Sequence, residues 1–242
     1  MSNPNHLALV WTYLGSTPLL WLTATIVAYV LAQALHERLN KHPLANPVLM
    51  SVALLIALLR ASHTQYATYM QGAQFVHFLL GPAIVALAVP LHKQLPRLQR
   101  LFWPLAGGLL SGGLNAVVMT VAMSKLLGAS VQTIASIAPR SSTTGIAIRL
   151  SEKIGGVPSL TAVLVVMTGI TGAIIGPPIV RALRVGAQEI GGFAMGVASH
   201  GIGTARALQM SEEAGALAGL GMCLNGVLTA FILPPLFPLL IR

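Results

Sequence analysis

The sequence predicts an all-α fold, a polytopic helical membrane protein of about 7–8 transmembrane segments with some helices broken or re-entrant. Of the 242 residues, 55% are hydrophobic and only 8% are charged, and the mean hydropathy is +0.79. Soluble domains carry about 25% charged residues, so the main solvent of this chain is predicted to be hydrocarbon. We therefore predict one integral membrane domain over residues 1–242.

Apolar runs divided by polar, proline or glycine residues indicate where the membrane spans lie. A straight span needs about 20 apolar residues. The shortest run, 47–61, is expected to tilt, to extend or to enter the bilayer only partway. The runs lie near 17–35, 47–61, 73–92, 102–125, 158–180, 191–208 and 214–241.

Residues 127–156 form a semi-polar segment that is expected to be a re-entrant pair or a broken crossing. Irregular backbone cannot face lipid, so such a break must be buried in protein or face water. Because proline and glycine interrupt helices, helix breaks are predicted at Pro82, Pro90, Pro139 and Gly201.

The charged residues predict how the spans are oriented. There are 14 Lys and Arg residues against five acids, giving a net charge of +9. The basic residues are scattered between apolar runs, so they predict no nucleic-acid partner. Short cytoplasmic loops collect Lys and Arg. Placing the basic connections near 36–41, 93–100 and 181–184 inside puts the N-terminus outside and the C-terminus inside.

A weak internal repeat recurs at a spacing of about 110 residues, as in transporters built from two related halves. Leu114-Asn115-Ala116-Val117 matches Leu224-Asn225-Gly226-Val227. With the orientation above, the matched spans run in opposite directions, which is typical of an inverted repeat. We predict repeat halves over 17–125 and 127–241. Chance similarity between apolar helices is the alternative.

The first candidate binding segment lies at 139–145, between two apolar pieces. Proline ends the incoming helix, and hydroxyl side chains cap the next one. A helix start beside an arginine can bind a carboxylate. The alternative is ordinary capping beside an interfacial arginine. The predicted binding residues are Arg140, Ser141, Ser142, Thr143 and Thr144.

The second candidate segment lies at 198–206, in the middle of an apolar run. Its glycines permit an unwound backbone, and polar groups at membrane depth are costly and usually functional. A histidine also titrates near neutral pH, so His200 is the candidate group for proton coupling. The alternative is a histidine satisfied by a neighbouring helix. The predicted binding residues are Ser199, His200, Gly201, Gly203, Thr204 and Arg206.

Other polar residues are assigned structural roles. Asn46, Asn115 and Asn225 are expected to bond across helices or to carbonyls freed by a break. No metal site and no cofactor are expected, because no spaced set of histidines, acids and thiols occurs and Cys223 is the single cysteine. The deep polar groups are hydroxyls, His and Arg, and the chain has no Asp, which favours an anionic solute over a cation.

An enzyme is not expected. Ser199 and His200 are adjacent in sequence. Adjacent residues on a helix do not face each other, and no acid is available to orient the histidine as a general base.

Several ordered stretches together resemble the LrgB/CidB family of antiholin-like membrane proteins, over most of the chain from Asn46 to the C-terminus. Arg140, Ser142 and Gly145 stand where the family pattern has Lys, Val and Pro. The stretches that carry the likeness are 80–91, 140–148, 154–158, 169–173 and 196–208 with 213–216.

The resemblance implies two functions. Plastid relatives exchange glycolate and glycerate, and bacterial relatives are linked to pyruvate-type monocarboxylates, to control of lysis and to a small LrgA/CidA-type membrane partner. We predict a secondary transporter of small monocarboxylates such as glycolate, glycerate, pyruvate or lactate, with proton coupling as an option. The alternative is a holin-like or antiholin-like regulator of cell lysis and murein hydrolase activity. A homo-oligomer in the bacterial inner membrane is expected.

Overall fold

The computed structural model describes residues 17–39, 45–86, 89, 92, 95–186 and 188–241. Within these ranges the regular secondary structure is helical and no strand occurs, which confirms the predicted all-α class. The chain divides into two compact units, Met1–Ala86 and Leu87–Arg242.

The first unit contains α1 (Pro18–Arg38), α2 (Pro47–Ala61) and α3 (Tyr66–Ala86). Helix α1 packs against both of the others, and the buried Trp21 ring meets Tyr69 edge-on at 6.2 Å. The side chain of Asn46 accepts hydrogen bonds from two backbone N–H groups of the first turn of α2, so this asparagine is a helix N-cap.

Two of the predicted helix breaks fall in or after α3. The helix continues through Pro82 to its end at Ala86, so the chain does not break at that proline. Interior prolines are tolerated in membrane helices because neighbouring groups can satisfy the carbonyl that loses its partner. Pro90 lies outside the described residues.

The second unit holds the remaining helices. In chain order they are α4 (Leu95–Arg100), α5 (Phe102–Leu126), α6 (Val131–Ile137), α7 (Thr144–Lys153), α8 (Pro158–Ala182), α9 (Gln188–Leu208) and α10 (Glu212–Ile241). Helices α1, α5, α8 and α10 are long and apolar enough to cross a membrane. The protein is therefore a polytopic helical membrane protein.

The semi-polar segment folds as two short helices separated by a break. Helix α6 ends at Ile137, just before Pro139, and α7 begins at Thr144. The side chains of Ile134 and Leu150, one from each short helix, join a buried apolar cluster with residues of α5 and α10. The chain thus leaves the helical conformation around Pro139, and protein surrounds this buried proline.

Helix α9 is a hairpin of two limbs. Ser199 (φ −132°, ψ 15°) and His200 (φ 42°, ψ −134°) leave the helical conformation. A Cβ placed on Gly203 would lie 2.6 Å from the carbonyl oxygen of Met195, whereas a straight helix would separate these two residues by about 12 Å. The chain therefore reverses between limb 188–198 and limb 201–208.

This reversal corrects the prediction that 191–208 crosses the membrane. The first limb is about 16 Å long at 1.5 Å per residue, roughly half of a 30 Å hydrocarbon core. The interruption lies at Ser199 and His200, immediately before the predicted position Gly201. Residues 188–208 thus form a hairpin whose limbs are each too short to cross the hydrocarbon core, as in a re-entrant segment.

Helix α10 packs along the first limb in the same direction. A Cβ on Gly192 would collide with the Ala214 carbonyl, and one on Gly196 would collide with the Ala218 carbonyl. The absence of a side chain at Gly196 is thus what allows the two backbones to touch. The contacts between α9 and α10 are the most extensive between any two helices of the described residues.

Helices α5 and α10 also run in the same direction. Gly113 faces Asn225 and Leu228, and further along Lys125 Nζ donates a hydrogen bond to the Leu240 carbonyl at 3.1 Å. The predicted orientation made these two helices antiparallel, which is wrong because the α9 hairpin replaces one crossing. The matched Asn115 and Asn225 segments are therefore not inverted relative to each other. The repeat halves 17–125 and 127–241 remain a prediction.

Candidate functional site

A cavity of about 790 Å³ lies within the second unit and is open to the protein surface, where Met119, Met123 and Met167 of its wall are about half exposed. Its wall comes from α5, the break between α6 and α7, α8, and the first limb of α9. Much of the wall is apolar and includes methionine side chains from three helices. Its polar side chains are Thr120, Ser124, Arg140, Thr168, Thr171 and Ser199.

Arg140 brings a positive charge to this cavity from the break after α6. Its Nε donates a hydrogen bond to Thr120 Oγ1 at 3.0 Å, and the Thr120 hydroxyl in turn donates to the Ala116 carbonyl at 2.5 Å. No acidic side chain among the described residues forms an ion pair with Arg140. The guanidinium is thus held at one edge, with further N–H donors that can bind an anion.

Ser199 reaches the same cavity from the tip of the α9 hairpin. A Cβ placed on Gly172 would overlap the Ser199 hydroxyl, so the glycine on α8 makes room for it. Arg140 and Ser199 come from the two segments that the sequence singled out, and the fold brings these two residues into one wall.

His200 and Thr204 do not line this cavity. The His200 ring is buried, and its Nε2 lies 2.9 Å from the Val165 carbonyl of α8. A carbonyl can only accept, so Nε2 carries the hydrogen and Nδ1 is the basic nitrogen. Thr204 Oγ1 donates to the His200 carbonyl at 2.9 Å, which ties the second limb to the tip.

Arg206 lies away from the cavity, because the second limb carries it back to the base of the hairpin. Its Nη1 donates to Gln209 Oε1 at 2.9 Å, and its guanidinium is close enough to Arg181 for the two charges to repel. Of the hairpin glycines, Gly203 packs on the Met195 backbone, whereas Gly201 is exposed.

The hydroxyl cluster at 141–144 lies outside the cavity wall. Ser142 is fully buried and donates to the Pro139 carbonyl at 2.8 Å. Thr143 occupies the N-cap position of α7, but its side chain makes no capping hydrogen bond, contrary to the predicted capping role. Ser141 is also buried. None of Ser141, Ser142, Thr143 and Thr144 lines the cavity; Arg140 is the member of this segment that does.

Asn225 of α10 bridges the two interruptions. The side chain is fully buried, and its Nδ2 donates to the Ser141 carbonyl and to the Val197 carbonyl, each at 3.0 Å. This confirms that the asparagine bonds to backbone carbonyls at the breaks. Its Oδ1 is buried without a hydrogen-bond partner.

The sequence did not identify the threonines of the cavity wall. Thr120 and Thr168 donate to the carbonyls of Ala116 and Leu164, each one turn earlier on the same helix. Hydroxyl residues within helices commonly make this bond. The sequence therefore does not distinguish a threonine in a binding site from any other threonine in a helix.

Comparison with known proteins identifies the family. The family model for the LrgB-like family matches residues 25–239. The Bacillus subtilis protein YxaC is 37% identical over 210 residues, which is 87% of this chain and 91% of YxaC. The antiholin-like protein LrgB of Bacillus mycoides is 28% identical over 222 residues, 92% of this chain and 96% of that protein. No solved structure matches the chain. This protein belongs to the LrgB-like family.

Proposed function

We propose that this protein carries small monocarboxylates across a bacterial inner membrane and binds them in the cavity between α5, α8 and α9. The observation that carries the proposal is that Arg140 and Ser199, from two separate interruptions, line one cavity of about 790 Å³. A guanidinium without an acidic partner and nearby hydroxyls can replace the water around a carboxylate.

The character of the wall supports a small organic acid over an inorganic anion. Ligand pockets span about 300–1,000 Å³ and combine an apolar lining with a few polar groups. Here Met119, Met123, Met167 and Met195 supply soft apolar surface in the same wall as Arg140. The proposed substrates are glycolate, glycerate, pyruvate and lactate.

Proton coupling is proposed at His200. Its Nε2 is committed to the Val165 carbonyl, which leaves Nδ1 to take up a proton. A proton bound beside Ser199 would offset the charge of a carboxylate at the hairpin tip. The proposal involves no covalent step, and we propose no enzymatic activity, because Nε2 of His200 bonds to a backbone carbonyl and not to an acidic side chain that would orient the ring as a general base.

Uptake of labelled carboxylates into proteoliposomes tests the carrier. The wild-type protein should accumulate labelled glycolate or lactate, and Arg140→Ala should raise the half-saturating concentration at least about tenfold, since a charged hydrogen bond contributes about 1.5–3 kcal/mol. Arg149→Ala is the matched control, because Arg149 is exposed and pairs with Glu152 on α7. Equal uptake by Arg140→Ala and the wild-type protein would contradict the proposed binding site at Arg140. Absence of uptake by the wild-type protein would contradict the proposed carrier function.

The second candidate is an antiholin-like regulator of cell lysis and murein hydrolase activity. The names of relatives favour it over the carrier, since the Bacillus mycoides relative is called antiholin-like and its name mentions no carboxylate. This function would act through an oligomer, together with a small membrane partner of the LrgA/CidA type.

Graded dye release distinguishes the two functions. Proteoliposomes, with and without a co-reconstituted LrgA/CidA-type protein, are loaded with dyes of increasing size. A lytic assembly or its regulator should release large dyes or change their release when the partner is present. A carrier should retain every dye while exchanging labelled carboxylate.

A further inference from the structure

The Asn225 side chain joins two parts of the backbone that are far apart in sequence. One amide nitrogen donates to Ser141, at the break before α7, and to Val197, just before the hairpin tip. Both bonds are 3.0 Å long and the residue has no exposed surface. In the folded protein, Asn225 rather than bulk water therefore supplies the donor to both carbonyls.

The chemistry of this bridge suits an asparagine. An amide NH₂ group has two donors, and two carbonyl oxygens are acceptors only, which fixes the orientation of the amide. Carbonyls at helix interruptions lack regular helical partners, and an unsatisfied carbonyl in a membrane interior is costly. A leucine of similar shape would leave both carbonyls without this donor.

The neighbouring helix leaves room for the amide. A Cβ placed on Gly113 of α5 would lie 2.9 Å from Asn225 Oδ1 and 2.6 Å from Leu228 Cδ2. The amide oxygen is buried on this side with no hydrogen-bond partner. The two donated bonds and the shape of α5 thus orient the Asn225 amide. Its oxygen accepts no hydrogen bond that would add to this orientation.

Each carbonyl that Asn225 binds is close in sequence to a polar residue of the cavity wall. Ser141 directly follows Arg140, and Val197 precedes Ser199 by two positions. A bond from one nitrogen to both segments therefore restricts the distance between the guanidinium and the hairpin tip.

We propose that Asn225 is a positioning residue that couples the two interruptions and sets the spacing between Arg140 and Ser199. Asn225 does not line the cavity, so it acts on a bound anion through the two backbone segments. The effect on transport rests on the proposed carrier function, whereas the effect on the spacing does not.

Electron spin resonance distances test the coupling without any transport assay. Nitroxide labels at Arg149→Cys on α7 and Leu208→Cys on the second limb of α9 report the two segments, because both positions are exposed. The labels are introduced in a Cys223→Ser background, since Cys223 is exposed. The parent should give one narrow distance distribution, and Asn225→Leu should broaden or shift it.

Thr161→Val is the matched control. Thr161 is fully buried, and its hydroxyl shares a hydrogen bond with the Ser151 hydroxyl between α7 and α8, away from the cavity wall. This variant should lose a buried hydrogen bond and keep the narrow distribution. A distribution in Asn225→Leu as narrow as that of the parent, with the same mean, would overturn the proposal.

Uptake assays add the functional readout. In Asn225→Leu the half-saturating concentration should rise about tenfold or more with a smaller change in maximal rate, because a misplacement of about 1 Å can cost a factor of 100. Asn225→Gln, which keeps the amide, should recover part of the affinity and is the variant to use if Asn225→Leu fails to fold. Unchanged affinity for the carboxylate in both variants would overturn the positioning role of Asn225. If the wild-type protein takes up no carboxylate, the carrier function is wrong, and the spin-label distances alone then decide whether Asn225 couples the two segments.

Discussion

The carbonyl of Met195 faces Gly203 across the two limbs of α9. This contact exists because the chain reverses at Ser199 and His200. It makes residues 188–208 a re-entrant hairpin, and it gives the flanking helices α8 and α10 opposite directions.

The first prediction concerns the side of the membrane on which each end of α9 lies. Leu183 and Leu208 are exposed at the ends of α8 and of the second limb, and Leu127 is exposed beyond the end of α5. Single cysteines at 183 and 208, in a Cys223→Ser background, should react with a membrane-impermeant maleimide from the same side. A cysteine at 127 should react from the other side.

A membrane crossing by α9 would give a different labelling pattern. If α9 crossed the membrane, cysteines at 183 and 208 would react from different sides. Labelling of whole cells and of inverted vesicles, followed by a gel shift, measures the side for each position.

The second prediction concerns the positive φ of His200. Its backbone (φ 42°, ψ −134°) lies in a region that glycine adopts readily, as at the first central position of a type II′ turn. His200→Gly and His200→Ala both lose the bond to Val165. Alanine should be the less stable variant by about 1 kcal/mol or more, because it also keeps the backbone strain.

Thermal unfolding in detergent compares the two variants directly. A lower melting temperature for His200→Gly than for His200→Ala would show that the tip does not hold this backbone conformation. Leu239→Ala, at an exposed position on α10, serves as a control for the effect of detergent on each preparation.

The sequence predicted the helical class and the break at Pro139 because both depend on local composition. It could not predict the α9 hairpin, since a hairpin and a crossing of 191–208 have the same hydropathy. The same error placed Arg206 in the site, whereas the returning limb carries it to Gln209 and Arg181. Such long-range positions follow from packing between helices.

Asn115 and Asn225 show the same limit. They lie in matching sequence segments, yet Asn225 is fully buried and bonded at both breaks while Asn115 is exposed on α5. The difference depends on which helix face the hairpin covers. No local pattern around either asparagine contains that information.

The third prediction compares two glycines. A Cβ at Gly196 would collide with the Ala218 carbonyl, whereas a Cβ at Gly107 would meet nothing within 4 Å. Gly196→Ala should lower stability by about 1–3 kcal/mol because backbone must move. Gly107→Ala, at an exposed position of α5, should be neutral or more stable by up to about 1 kcal/mol, since alanine favours helix.

Melting temperatures of the two variants provide the measurement. Equal losses of stability at the two positions would contradict close packing of α9 on α10. A control at Gly108, which also has open space around it, should behave like Gly107.

The fourth prediction concerns the bond that orients Arg140. Thr120→Val removes the hydroxyl that accepts from Arg140 Nε and leaves the charge in place. The half-saturating concentration of a carboxylate should rise about three- to tenfold, as expected for losing one hydrogen bond of about 1 kcal/mol. Labelled uptake into proteoliposomes measures this change.

Ser111→Ala is the control for that variant. Ser111 lies on the same helix, and its hydroxyl donates to Gly107 at 2.7 Å, so the substitution removes a similar local bond on an exposed face. Equal effects of Thr120→Val and Ser111→Ala would mean that Arg140 does not depend on Thr120.

The α9 hairpin also simplifies biosynthesis. Because the segment dips into the bilayer and returns, the connection 209–211 and the glutamates at the start of α10 stay on the same side of the membrane as the end of α8. Moving charged groups through hydrocarbon is expensive during insertion. Where that side is the cytoplasm, as the basic residues Arg181 and Arg184 predict, Arg206, Glu212 and Glu213 stay where they were made and only α10 is inserted across the bilayer.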